Sequence, residues 1–123
     1  MFALTPQHRF LLYGPSCDMR KGFNGLSGLV RNELHRDPLS GEVFVFINRG
    51  RTTMKLLVFE TDGYLLYHKR LASGRFQNIP PSSDPTNSST NAAKHIHYQQ
   101  LHLLLRGLDL RHIKQRKRYA KPT

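Results

Sequence analysis

Residues 43–47 read VFVFI and residues 56–59 read LLVF, apolar at successive positions rather than at every second one. A strand turns successive side chains to opposite faces, so an alternating pattern marks a sheet with one wet face and a continuous apolar run marks a sheet covered on both. The chain must therefore place two covers on one small sheet, or borrow one from another subunit.

The sheet itself is read from residues 42–71, which form three strands in an antiparallel meander with loops at 48–52 and 61–63. Asp62-Gly63 is a hairpin-turn signal. RFLLY at 9–13, stopped by Gly14-Pro15, is a further short strand. The first cover is a helix over residues 19–35, because Phe23, Leu26, Leu29, Val30 and Leu34 recur at three- and four-residue spacing and the pattern closes before Asp37-Pro38. Asp18 is its expected N-cap. Arg20 and Lys21 then lie against the helix dipole, a placement that suits an external anion such as phosphate better than it suits the helix. Gly22, Gly25 and Gly28 make a small-residue row, each costing about 1 kcal/mol of helix propensity relative to alanine, which predicts that another backbone comes close to that side, with a looser turn at Gly22 as the alternative.

The second cover comes from YQQLHLLLRGLDL, where Tyr98, Leu101, Leu104, Leu105 and Leu108 share one helical stripe and Gly107 stands as a C-cap. Between the covers, residues 77–94 carry three prolines and almost no large apolar group. Such a segment cannot bury enough surface to order itself and is read as a flexible linker. The fold class is α+β: a compact α+β domain at 1–76 built from a small antiparallel meander and one packed helix, the linker at 77–94, and a helix with a basic tail at 95–123.

Charge narrows the partner. Lysine and arginine total 19 against 8 acids, a net charge of +11, which favours a polyanion, nucleic acid ahead of an anionic membrane. No apolar run approaches the ~20 residues a membrane span needs, and the opening MFALTPQHRFLLYG is broken by Pro6, His8 and Arg9, unlike a signal peptide. A cytosolic protein that does not engage membrane is expected. Arg49, Arg51 and Lys55 straddle the first hairpin loop, where they can follow a phosphate backbone. Lys69 and Arg70 are a weaker pair, since neighbours on a strand point to opposite faces. In RHIKQRKRYAK six of eleven residues are basic, and Arg111, Lys114, Arg116, Lys117 and Arg118 form a general phosphate grip without sequence readout.

Catalytic chemistry finds no support. Asp18 is a cap, Asp37 and Asp62 are turn residues, and Glu60 has no acid at its expected cross-strand partner, so no carboxylate pair for magnesium emerges. His95, His97 and His102 lack metal-ligand spacing. Cys17 is a lone thiol without a relay, and there is no nucleophile triad or phosphate loop. No catalytic residue, metal or cofactor is expected.

Taken together, DMRKGFNGL, DPLSGEVFVFINRGRTTMKLL, DGYLLYHKRL and GRF, in this order and spacing, resemble the TnpB accessory proteins of the sixty-six family of bacterial insertion sequences. The match is close over residues 5–76 and looser through LHLLLRGLDL and the basic end. Its shared positions fall on Asp18, Arg20, Lys21, Gly22, Asn48, Arg49, Lys55, Lys69 and Arg70, while Gly50 stands where family members often carry a further cation. The resemblance implies a bacterial, nucleoid-associated protein that assists transposition beside a separate transposase and a helix-turn-helix companion; it supplies no catalytic residues. The resulting expectation is a non-catalytic protein that binds DNA, with element ends as its target, through Arg20, Lys21, Arg49, Arg51 and Lys55, and that is free to form a homo-oligomer. The alternative is an adaptor that docks on the transposase through an apolar sheet face.

Overall fold

Both covers come from this chain. The computed structural model describes residues 4–76 and 93–105. They form β1 (Phe10–Tyr13), α1 (Phe23–Asn32), β2 (Val43–Ile47), β3 (Thr53–Glu60), β4 (Gly63–Arg70), β5 (Ala93–Ile96) and α2 (Tyr98–Leu105). The strands make one five-stranded sheet in the order β4-β3-β2-β1-β5. β2, β3 and β4 are the antiparallel meander read from the sequence. The sheet as a whole is mixed rather than antiparallel, because β1 runs parallel to β2, with Phe10 opposite Val43 and Leu12 opposite Val45. A helical crossover explains this: α1 carries the chain back over the sheet before β2 begins, so the two strands share a direction.

Strand alternation divides the core into two layers. Leu11, Tyr13, Phe44, Phe46 and Leu57 point to one face, where Leu26, Val30 and Leu34 of the α1 segment close over them. Phe10, Leu12, Val43, Val45, Met54 and Leu56 point to the other, where Leu101 and Leu104 of α2 cover them together with Phe76 and Ile96. α2 thus covers the face that the adaptor reading needed bare, and its stripe is the expected one for Tyr98, Leu101, Leu104 and Leu105. Leu108 and Gly107 lie outside the described residues, as do 77–92 of the linker and the basic tail. Ala93 and Lys94, assigned to the linker from composition, instead pair with Tyr13 and Leu12 in β5.

α1 is laid across its face of the sheet. Phe23 at its start stacks on Tyr64 of β4, with ring centroids 6.3 Å apart, while Glu33 just past its end accepts a 2.7 Å hydrogen bond from the Tyr13 hydroxyl on β1. Phe23 is consequently 47% exposed rather than part of the buried stripe. The helix stops where His35 takes a left-handed φ of 54° and Arg36 N–H donates back to the Val30 carbonyl, ahead of Asp37-Pro38 as the pattern indicated.

The start of α1 departs from the expectation. Its N-cap is Gly22, without a side-chain cap, and residues 18–21 are a turn outside the helix. The glycine row also has a different meaning. A Cβ built at Gly22 or Gly28 meets nothing within 4 Å, and one at Gly25 meets only the Lys21 side chain. No backbone crowds this side. Gly28 therefore lowers helix propensity with no packing in return, and Gly28→Ala should stabilise the protein by up to about 1 kcal/mol in urea unfolding; a loss of stability would show that some group does press on this position.

Candidate nucleic-acid interface

The turn before α1 is built by two side chains. Asp18 Oδ1 accepts the Arg20 backbone N–H at 2.9 Å, and the carboxylate is gripped by the Arg20 guanidinium, with Nη2 2.8 Å from Oδ2. These contacts hold the Asp18 carboxyl down at about 2 and push the Arg20 guanidinium up. Asp18 therefore tethers Arg20 instead of capping the helix, and the pair is close to neutral. From the other side, Lys55 on β3 sends its ammonium to the Met19 and Lys21 carbonyls, at 2.7 and 2.8 Å. In a helix beginning at residue 19 those carbonyls would accept from residues 23 and 25. Lys55 has claimed them, which is why α1 starts later.

Lys55 is 6% exposed. It shares the α1 face of β3 with Thr53 and Leu57, and its charge is spent inside the protein. Cys17 lies nearby, its N–H bonded to the Ile47 carbonyl at 2.9 Å. Burial pushes its thiol pKa up, so it is a packed core residue and a poor nucleophile. Tyr13 is likewise pushed up to about 12 by burial and by its bond to Glu33, which keeps it neutral.

The loop between β2 and β3 is organised by Asn48. Its Oδ1 accepts from the N–H groups of Thr52 and Thr53, at 2.9 and 3.0 Å, and its Nδ2 donates to Thr52 Oγ1 at 3.2 Å. The tight loop forces Arg51 into a left-handed φ of 61°. Arg51 N–H donates to the Asn48 carbonyl at 3.0 Å, its guanidinium reaches the Phe76 carbonyl, and its own carbonyl accepts from Phe76 N–H at 2.7 Å. Arg49 is left exposed at the tip.

The register gathers the remaining cations. Thr53 opens β3 opposite Arg70 at the close of β4, and Met54 stands opposite Lys69. Leu71 N–H bonds the Thr52 carbonyl, so the segment through Arg75 to Phe76 folds back on the same loop. Lys94 enters from β5 opposite Leu12. One end of the sheet, at the carboxyl ends of β1 and β2, thereby carries Arg49, Arg51, Lys69, Arg70, Arg75 and Lys94. Glu60, Asp62 and Glu42 stand at the other end, together with Arg9 and with Arg36, whose guanidinium pairs with Glu42 at 3.5 Å. Lys69 and Arg70 point to opposite faces, and the Lys69 ammonium is bonded to the Leu105 carbonyl of α2. Lys21 is half-buried beside α1. Arg111, Lys114, Arg116, Lys117 and Arg118 lie outside the described residues.

Between the Gly14–Ser16 loop, the Asn48–Arg51 loop and β5 is a cavity of about 220 Å³. Arg75 and Lys94 were not singled out in the sequence, the first because it stands alone as a charge beyond the last strand pattern, the second because it falls in the stretch read as a linker. β5 itself, AKHI, shows no polar-apolar alternation, so nothing local marks it as a strand. Among the described residues no three histidine, cysteine or acidic side chains come together as a metal site, and no helix is long and apolar enough to cross a membrane.

Comparison with known proteins agrees with the spacing of the motifs. A family model described as IS66 Orf2-like protein matches residues 8–115. Protein y4jC of Sinorhizobium fredii is 33% identical over 115 residues, covering 94% of this chain and 91% of its own length. Protein y4hO of the same organism is 37% identical over 95 residues, covering 77% of this chain and 76% of its own. No solved structure matches.

Replacing Lys55 tests the turn directly. Lys55→Met keeps the aliphatic stem and leaves two carbonyls without their donor, so stability should fall by about 1–3 kcal/mol in chemical denaturation. Unchanged stability would mean that water replaces the ammonium at no cost and that the turn does not depend on it.

Proposed function

We propose that this chain, which belongs to the IS66 Orf2-like family of transposition-associated accessory proteins, assists transposition by binding DNA without cutting it. The observation that carries this reading is the cluster of exposed cations at one end of the sheet, where Arg49, Arg70 and Arg75 come together, with the acidic turn at Glu60–Asp62 at the far end. A concentrated basic cluster of this kind draws a polyanion toward that end of the protein. Phosphate contacts give register and grip; they do not read sequence, so choice of element ends calls for the transposase or its companion alongside. Arg111, Lys114, Arg116, Lys117 and Arg118 add charge from the tail.

Lys55 is buried and its charge is spent inside the protein, while Arg20, though exposed, shares its charge with Asp18, so neither is counted in the proposed contact set. The DNA-contacting set is instead Arg49, Arg70 and Arg75, with Arg51 shaping the loop and Lys69 fastening α2. The acids are dispersed over turns and strand ends, which favours a non-catalytic role.

Binding to element-end duplex and to random duplex, followed over a salt series with and without the transposase, tests the reading. Changing Arg49, Arg70 and Arg75 together to glutamine should lower the slope of log affinity against log salt by up to about 3 units, with folding retained. An unchanged slope would move DNA contact away from this end. Complex formation with the transposase and no duplex binding at all would favour the adaptor reading. Magnesium-dependent strand cleavage lost in Asp62→Ala or Glu60→Ala would overturn the non-catalytic role.

A further inference from the structure

The cavity at the carboxyl ends of β1 and β2 is not a general feature of a basic surface. After β1 the chain leaves the sheet for α1, whereas after β2 it turns directly into β3, so the two connections part at these ends and the cavity lies between them. Here the apolar ends of β1 and β2 supply the floor through Leu12 and Ile47, and Arg49, Arg51 and Lys94 stand around it. Its lining contains no carboxylate. Arg49 and Lys94 make no ion pair among the described residues. Three cations over an apolar floor repel metal ions and attract a compact anion, and partial exclusion of water strengthens that attraction.

Size limits the anion. At about 220 Å³ the cavity is below the range of roughly 300–1,000 Å³ that holds drug-sized ligands, so a whole nucleotide does not fit inside. One phosphate group does. Asn48 braces the loop that carries Arg49 and Arg51 through its three bonds to Thr52 and Thr53, and the bond to the Phe76 carbonyl holds the Arg51 guanidinium. Ser16 also lines the cavity. The loop and the Arg51 guanidinium are thus held before any ligand arrives.

We infer that this cavity, lined by Arg49, Arg51 and Lys94, is a binding site for a single phosphate group, and, resting on the DNA-binding reading above, that it seats one phosphate of the bound strand. The shared chemistry is a tetrahedral oxyanion. Its source is either the phosphomonoester at a strand end or an internal phosphodiester, and a strand end brings the larger charge to three cations.

Inorganic phosphate is the first probe, titrated into the isotope-labelled full chain at constant ionic strength against chloride. Saturable amide shifts should be confined to Gly14, Ser16, the Arg49–Arg51 loop and Lys94. In the double variant Arg49→Gln/Lys94→Gln the affinity should weaken by about tenfold or more, since two charge-assisted contacts are lost. Lys94→Arg, which keeps the charge and controls for the fit of β5, should retain binding. Absent or diffuse shifts, or equal affinity in the double variant, would overturn the site whatever the protein does with DNA. The second probe is duplex carrying a 5′ phosphate, a 3′ phosphate or neither. Loss of affinity in the double variant for end-phosphorylated duplex alone assigns the site to strand ends, and equal loss for all three assigns it to the internal backbone. Phosphate binding here without any duplex binding by the wild-type chain keeps the phosphate site and overturns the DNA-binding reading. Duplex binding that is indifferent to the double variant shows that the cavity does not serve DNA.

Discussion

The ammonium of Lys55, held between the carbonyls of Met19 and Lys21 at 2.7 and 2.8 Å, is the contact on which the layout of this end of the molecule depends. A charge taken from water costs several kcal/mol unless polar groups replace its hydration, and two backbone carbonyls do so here. The exchange ties the β1–α1 loop to β3, ends any earlier helical turn, and launches α1 at Phe23. From that point α1 can cross the sheet from Tyr64 on β4 to Tyr13 on β1, covering Phe44, Phe46 and Leu57 on the way. With the loop pinned, the carboxyl ends of β1 and β2 stay open.

The doubly covered sheet was legible because strand period and helix period are both written in apolar positions. VFVFI demanded two covers, and the stripes of α1 and α2 supplied them. The direction of β1 was not legible, since four apolar residues say nothing about which neighbour they will pair with or in which sense. β5 was hidden for a related reason: a strand of four residues, Ala93–Ile96, owes its order to the pairing with β1, and composition weighs only what a segment can bury by itself.

The candidate site was legible in part. Arg49, Arg51 and Lys55 look alike as charges straddling a loop, yet register separates them: Lys55 shares a face with Leu57 and is drawn under α1, while Arg49 falls at the tip. The Asp18–Arg20 contact was missed because an acid before a helical pattern reads first as a cap, and the same carboxylate can as well close a turn on the second residue along. Gly28 was over-read, its open surroundings needing no glycine at all. Arg75 and Lys94 acquire their place only through long-range contacts, the Phe76–Arg51 exchange and the β1–β5 pairing.

What the fold contributes to an accessory role is thus a cluster of cations at one end of a small sheet packed on both faces, with the basic loop braced by Asn48 and the acidic turn kept at a distance. The most direct test is an amide shift map of the labelled full chain on adding duplex DNA at low salt. The account predicts shifts at Arg49–Thr52, Lys69–Arg75 and Lys94, with Glu60–Gly63 unmoved. Shifts centred on the Glu60–Gly63 turn, or spread evenly over the described residues, would contradict it.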